Sequence, residues 1–165
     1  MVNFAIWLDG VILKIDLTDP LYQQYKGFSV NLPITYDVFE DWLQVYDEII
    51  RVDNFALLSP YDEISTENIL NRINLKPKYV IVNKGKTKPS PEPYKLLINI
   101  TNWDPLETIT LASSPLDLLS ARFFDSRIKV VCIKRYYECS KYSPFLYSIS
   151  LTDALASLKR LKILV

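Results

Sequence analysis

Short, unbroken apolar runs alternate along this chain with longer amphipathic ones. The apolar runs fall at residues 3–8, 54–59, 78–83, 108–112 and 128–133, and each is brief enough to be a strand buried on both faces. Between them, residues 36–52 place Val38, Phe39, Trp42, Leu43, Val45, Tyr46, Ile49 and Ile50 at helical spacing, with Asp37, Glu40, Asp41, Asp47 and Glu48 mostly on the opposite face. Other helices are marked by their starts. Ser65-Thr66-Glu67 opens a run to Asn74, Pro91 or Pro93 can occupy the first turn of a run to Ile100, Pro115 precedes 116–124, and Thr152-Asp153 opens a terminal amphipathic run to about Leu161. Strands alternating with helices predict a three-layer, doubly wound, Rossmann-like α/β domain with a five-stranded, mainly parallel sheet.

Residues 11–33 fit neither period. Asp16, Asp19, Pro20, Gly27 and Pro33 interrupt short apolar stretches there, so we read an irregular hairpin or small lid. The expected organisation is one domain over 1–165, with 11–35 as a flap or minimal cap. Lys-Thr-Lys-Pro-Ser-Pro-Glu-Pro at 86–93 is too proline-rich for a regular element and reads as an extended loop entering a helix. It follows a strand, which puts it at the strand ends where doubly wound sheets carry their sites.

Composition narrows the chemistry. The chain has 165 residues, 49% hydrophobic and 23% charged, the proportions of an ordinary globular domain. Lys and Arg total 19 and so do Asp and Glu, so no overall field draws in nucleic acid or an anionic membrane, and neither partner is expected. No leader-like segment precedes the first strand, so a cytoplasmic location is the default expectation. With no histidine and two cysteines, neither a Cys/His zinc site nor an imidazole-based triad can be assembled. Cys132 lies in an apolar run and Cys139 in a polar stretch seven positions later, which we read as one buried and one semi-exposed thiol rather than a disulfide.

Four segments, in order, carry a resemblance. Phe4-Ala5-Ile6-Trp7-Leu8-Asp9-Gly10-Val11-Ile12 is a strand running into a turn, and Phe55-Ala56-Leu57-Leu58-Ser59 ends a strand on a serine. Lys88-Pro89-Ser90-Pro91-Glu92-Pro93-Tyr94 is a KPxPxxY loop. Ala112-Ser113-Ser114-Pro115-Leu116-Asp117-Leu118-Leu119-Ser120-Ala121-Arg122 precedes Ile128-Lys129-Val130-Val131-Cys132-Ile133. Together they resemble the DxDGV/T turn, the serine or threonine, the lysine loop and the GDSxxDxxAA motif of the haloacid dehalogenase superfamily of phosphohydrolases. The likeness spans nearly the whole chain.

The resemblance implies a mechanism that two positions contradict. Those enzymes use a first aspartate as nucleophile, a second as general acid, a hydroxyl and a lysine on the phosphate, and Mg²⁺ held by the nucleophile, a backbone carbonyl and an acid of the last motif. Trp7 stands at the nucleophile and Ser113 at the metal-ligating acid, so no catalytic residue set, no metal and no cofactor are expected. Asp9, Ser59, Lys88 and Asp117 remain at the other positions. With the metal and nucleophile missing, Lys88 is expected to neutralise Asp9 and Asp117, and Trp7 is either a core aromatic or a plug in the vacated space.

The expected function is therefore a haloacid dehalogenase-like pseudoenzyme that acts by binding, with another protein as the expected partner and tyrosines such as Tyr136, Tyr137, Tyr142 and Tyr147 suited to a contact surface. The alternative is a hydrolase of a small phosphorylated substrate with an atypical site, which would need Mg²⁺. A third reading is a phosphate or nucleotide sensor built from Asp9, Gly10, Ser59 and Lys88.

Overall fold

The computed structural model describes residues 2–52 and 54–164. The single-domain reading of 1–165 also takes in Met1, Asp53 and Val165, which lie outside the described residues. Six strands form one sheet: β1 (Asn3–Trp7), β2 (Phe55–Leu58), β3 (Tyr79–Ile81), β4 (Thr108–Ala112), β5 (Lys129–Ile133) and β6 (Leu146–Ser148). Their order is β3-β2-β1-β4-β5-β6 and every pairing is parallel. The five-stranded expectation is corrected by β6. That strand is three residues long, sits at the sheet edge and is half-buried at Leu146 and Tyr147, so it carries no apolar run to read.

Central strands are apolar because helices cover both faces of a parallel sheet. All five residues of β1 and all five of β4 are buried. The helices are α1 (Thr18–Tyr25), α2 (Glu40–Ile50), α3 (Glu63–Arg72), α4 (Glu92–Thr101), α5 (Pro115–Phe124) and α6 (Leu151–Arg160). Side-chain caps fix three of their starts: Asp62 Oδ1 accepts from the Ser65 amide, Ser114 Oγ from Leu116, and Ser150 Oγ from Asp153. The α3 cap therefore lies three residues ahead of the Ser65 start expected from sequence.

Residues 11–35 contain α1 between two backbone clasps. Leu13 bridges Asp9 on one side and Val38 on the other, and Phe39 N donates to Ile12 O at 2.8 Å. The Thr18 and Ser114 hydroxyls, 2.8 Å apart, pin the start of α1 to the start of α5. No helix among the described residues is long and apolar enough to cross a membrane.

The thiol reading is also corrected. Cys132 and Cys139 are joined in a disulfide with Cα atoms 6.4 Å apart. A 3-10 turn at Cys139–Tyr142 folds the polar stretch back beneath the end of β5, burying Cys139 beside Cys132. Spacing alone carries no trace of that reversal.

Candidate functional site

Parallel strands end on one side of a sheet, and this sheet brings six of the sequence-predicted positions there. The strand order reverses between β1 and its neighbours β2 and β4, the place where doubly wound folds open a crevice. Trp7 ends β1 and Asp9 follows it, Ser59 follows β2, and Ser113 follows β4. Lys88 arrives from the loop after β3, and Asp117 from the first turn of α5.

Lys88 holds the group together. Its Nζ donates to Asp9 Oδ1 at 2.9 Å and Oδ2 at 2.7 Å, and to Asp117 Oδ1 at 2.5 Å, while only 1% of the side chain is exposed. Asp117 is wholly buried, and its other oxygen accepts from the Ser113 and Ser114 amides at 3.0 and 3.1 Å. This closes a capping box, so Asp117 is part of how α5 begins as well as part of the ion network.

Burial by itself works to lower the Lys88 pKa, but the Asp117 and Asp9 carboxylates outweigh it and hold the ammonium above the ordinary lysine range. For Asp9 burial is the largest influence and pushes the carboxyl up; the charge of Asp117 adds to this, and Lys88 pulls against it.

Trp7 lies directly against this network. The Lys88 ammonium sits 4.1 Å from the centroid of its ring, a cation–π contact between buried groups. The indole Nε1 donates to Tyr94 Oη at 3.1 Å, the rings meet edge to face at 6.3 Å, and the Tyr94 hydroxyl lies 2.7 Å from Thr110 Oγ1. Trp7 is completely buried. It is thus both a core aromatic and the floor on which Lys88 rests.

The remaining positions are also engaged. Ser59 Oγ lies 2.8 Å from Thr66 Oγ1 and accepts from the Tyr61 amide at 3.1 Å. Gly10 has φ +76°, which strains any residue with a Cβ, and a Cβ there would come within 2.6 Å of Ser113 Oγ, which would have to rotate away. Among the tyrosines, Tyr136 and Tyr142 are exposed, whereas Tyr137 and Tyr147 are half-buried and Tyr137 donates to Asp16 Oδ2 at 2.9 Å.

Mg²⁺, which the sequence resemblance implies, prefers hard anionic oxygens in a regular shell. Trp7 offers no such oxygen, Ser113 offers a neutral hydroxyl, and both oxygens of Asp9 already accept from Lys88. The residues present do not fit a divalent cation. No cluster of three or more acidic, cysteine or histidine side chains among the described residues is arranged to hold a metal.

Sequence reasoning missed the supports of the site. Tyr94 belongs to the matched loop, yet nothing in the sequence pairs it with Trp7 or Thr110. Arg135 is a larger omission. It donates to both Asp41 oxygens at 2.8 Å and to the Val11 carbonyl at 2.8 Å, and lies 3.7 Å from the centroid of the Phe39 ring. This side chain clamps α2 to the turn that follows Asp9.

No protein-family model matches the sequence, and no curated protein matches it. Solved structures do match in fold. A haloacid dehalogenase-like hydrolase from Streptococcus pneumoniae superposes with a TM-score of 0.72 at 11% identity, over 96% of this chain and 98% of its own. A HAD family hydrolase from Deinococcus radiodurans, solved with bound phosphate and sodium, gives 0.73 at 13% over 99% and 97%. L-2-haloacid dehalogenase from Xanthobacter autotrophicus, with chloropropionic acid covalently bound, gives 0.73 at 14% over 97% and 99%. Over nearly its full length, this chain has the fold of the haloacid dehalogenase superfamily hydrolases.

Proposed function

We propose that this is a haloacid dehalogenase-like domain without phosphohydrolase activity, which acts by binding, with another protein as its partner. The observation that carries the reading is the state of Lys88. An ammonium that already donates to three carboxylate oxygens has no free N–H to receive a phosphate dianion, and the aromatic ring beneath it cannot attack phosphorus. Exposed aromatics such as Tyr22, Tyr25, Phe28 and Tyr136 supply side chains of the kind enriched at protein contacts.

The alternative, hydrolysis of a small phosphorylated substrate at an atypical site, draws on Asp9. Its buried carboxyl keeps a proton to higher pH than usual, as a general acid requires. Trp7→Asp combined with Ser113→Asp decides between them. Under the binding reading the wild type is inert and the double variant gains Mg²⁺-dependent phosphatase activity. Activity in the wild type that the double change leaves unaltered contradicts it.

A further inference from the structure

A second polar site lies beside the Lys88 network. Between α1 and the loop of residues 85–91 there is a cavity of about 420 Å³, within the range of small-molecule sites. Leu21, Gln24 and Tyr25 form one wall, and Lys86, Thr87 and Ser90 form much of the other. Lys88 reaches this wall too, but its ammonium is committed to Asp9 and Asp117. Trp7, Asp9, Ser59, Ser113 and Asp117 take no part in the lining.

Its chemistry is one-sided. No carboxylate lines it, while Lys86 is exposed and makes no ion pair among the described residues. Thr87 is only 7% exposed, and its buried hydroxyl has no hydrogen-bond partner. That oxygen has almost no accessible surface, so the polar side chains left to meet an anion in the cavity are Lys86 and Gln24. Gln24 spends its side-chain carbonyl on a long contact with Asn83 Nδ2, at 3.5 Å, and its NH₂ has no partner among the described residues. An ammonium and an amide thus line the cavity with no acid to oppose an anion. Leu21 and the Tyr25 ring, 58% exposed, give the same cavity an apolar side.

We propose that this cavity binds a small organic anion, with its charged head on Lys86 and the Gln24 amide and its apolar body against Leu21 and the Tyr25 ring. The site is separate from the Lys88 centre and stands whether or not that centre is catalytically silent.

Titrating the full-length ¹⁵N-labelled chain with phenyl phosphate, and in parallel with benzoate and inorganic phosphate, at constant ionic strength set by chloride, tests this. The amide signals of residues 24, 25 and 85–88 are expected to move together with phenyl phosphate or with benzoate, and more weakly with inorganic phosphate. Which organic probe binds tighter assigns the head group. Lys86→Gln, a change at an exposed side chain, weakens binding roughly tenfold or more, the worth of one charge-assisted hydrogen bond. Arg127→Gln, at a separate cleft lined by Arg127 and Lys129, and Ser59→Ala leave it unchanged. The proposal is overturned if no probe moves these signals, if Lys86→Gln binds as tightly as the wild type, or if only Ser59→Ala or Arg127→Gln weakens binding. Loss with Ser59→Ala would put the anion in the Lys88 centre, and loss with Arg127→Gln would put it at the Arg127–Lys129 surface.

Discussion

Replacing Lys88 with methionine tests the ion network most severely. The side chain is nearly isosteric and the site is buried, so the change strands Asp9 and Asp117 without their cation and little else. Removing one partner of a buried ion pair costs about 3–5 kcal/mol, a large share of the roughly 5–15 kcal/mol by which domains are stable. The stranded carboxyls can limit the damage by taking up protons. Protonating a carboxyl of ordinary pKa 3.8 costs about 4.4 kcal/mol at pH 7 and about 1.6 kcal/mol at pH 5, at 1.36 kcal/mol per pH unit. The variant's folded state therefore binds more protons than its unfolded state, and its stability is lost as pH rises. Urea unfolding followed by tryptophan fluorescence should show a deficit of about 3–5 kcal/mol at pH 7 that shrinks by about 2 kcal/mol at pH 5. Adding Asp9→Asn and Asp117→Asn to Lys88→Met should recover at least about 2 kcal/mol, because removing every charge leaves none unpaired. A variant within about 1 kcal/mol of wild type at pH 7, or a deficit that grows towards acid, would refute the account.

Further expectations follow from neighbouring contacts. Trp7→Phe removes the hydrogen bond to Tyr94 and leaves a small void, and should cost about 1–3 kcal/mol in the same urea assay. Gly10→Ala meets both a positive φ and Ser113 Oγ and should cost at least about 1–2 kcal/mol, part of which Ser113→Ala restores by removing the close contact. Burial alone would raise the Asp41 pKa, but hydrogen bonds from Arg135 and the Leu151 amide hold it below 3.8. The stability this provides is present above pH 3.8 and is lost as pH falls through the lower folded value, so thermal melts of Asp41→Asn should lack that part of the acid decline. Arg135→Met should cost about 2–3 kcal/mol by freeing Asp41 and the Val11 carbonyl together, measured by urea unfolding at pH 7.

Legibility in the sequence tracked how strongly each element obeys a single local rule. Strands β1, β2, β4 and β5 were readable because a strand buried on both faces must be continuously apolar, β3 was readable from its apolar sequence although it lies at an edge with Val80 exposed, and Pro115 marked α5 because a helix tolerates proline in its first turn. α1 was not readable: Leu21 is the only residue it buries, and Pro20 sits in its first turn. β6 fails for a similar reason, since an edge strand needs no apolar face on both sides. In the site, the positions of Asp9, Ser59, Lys88, Ser113 and Asp117 were legible from motif order, and charge balance suggested what Lys88 would pair with. The partners Tyr94, Thr110 and Thr66 were not, because such contacts depend on strand register and helix docking. Arg135 lies 94 residues from Asp41, and the cysteines meet through a turn whose polar sequence announces nothing.

The central claim is that the Lys88–Asp9–Asp117 network over Trp7 leaves the fold without phosphohydrolase chemistry. Its most direct test is hydrolysis of p-nitrophenyl phosphate by the purified wild-type chain with Mg²⁺ present and with Mg²⁺ removed by chelation. The account predicts no release of p-nitrophenol above the protein-free rate in either condition. Mg²⁺-dependent turnover that Asp9→Asn abolishes would contradict it.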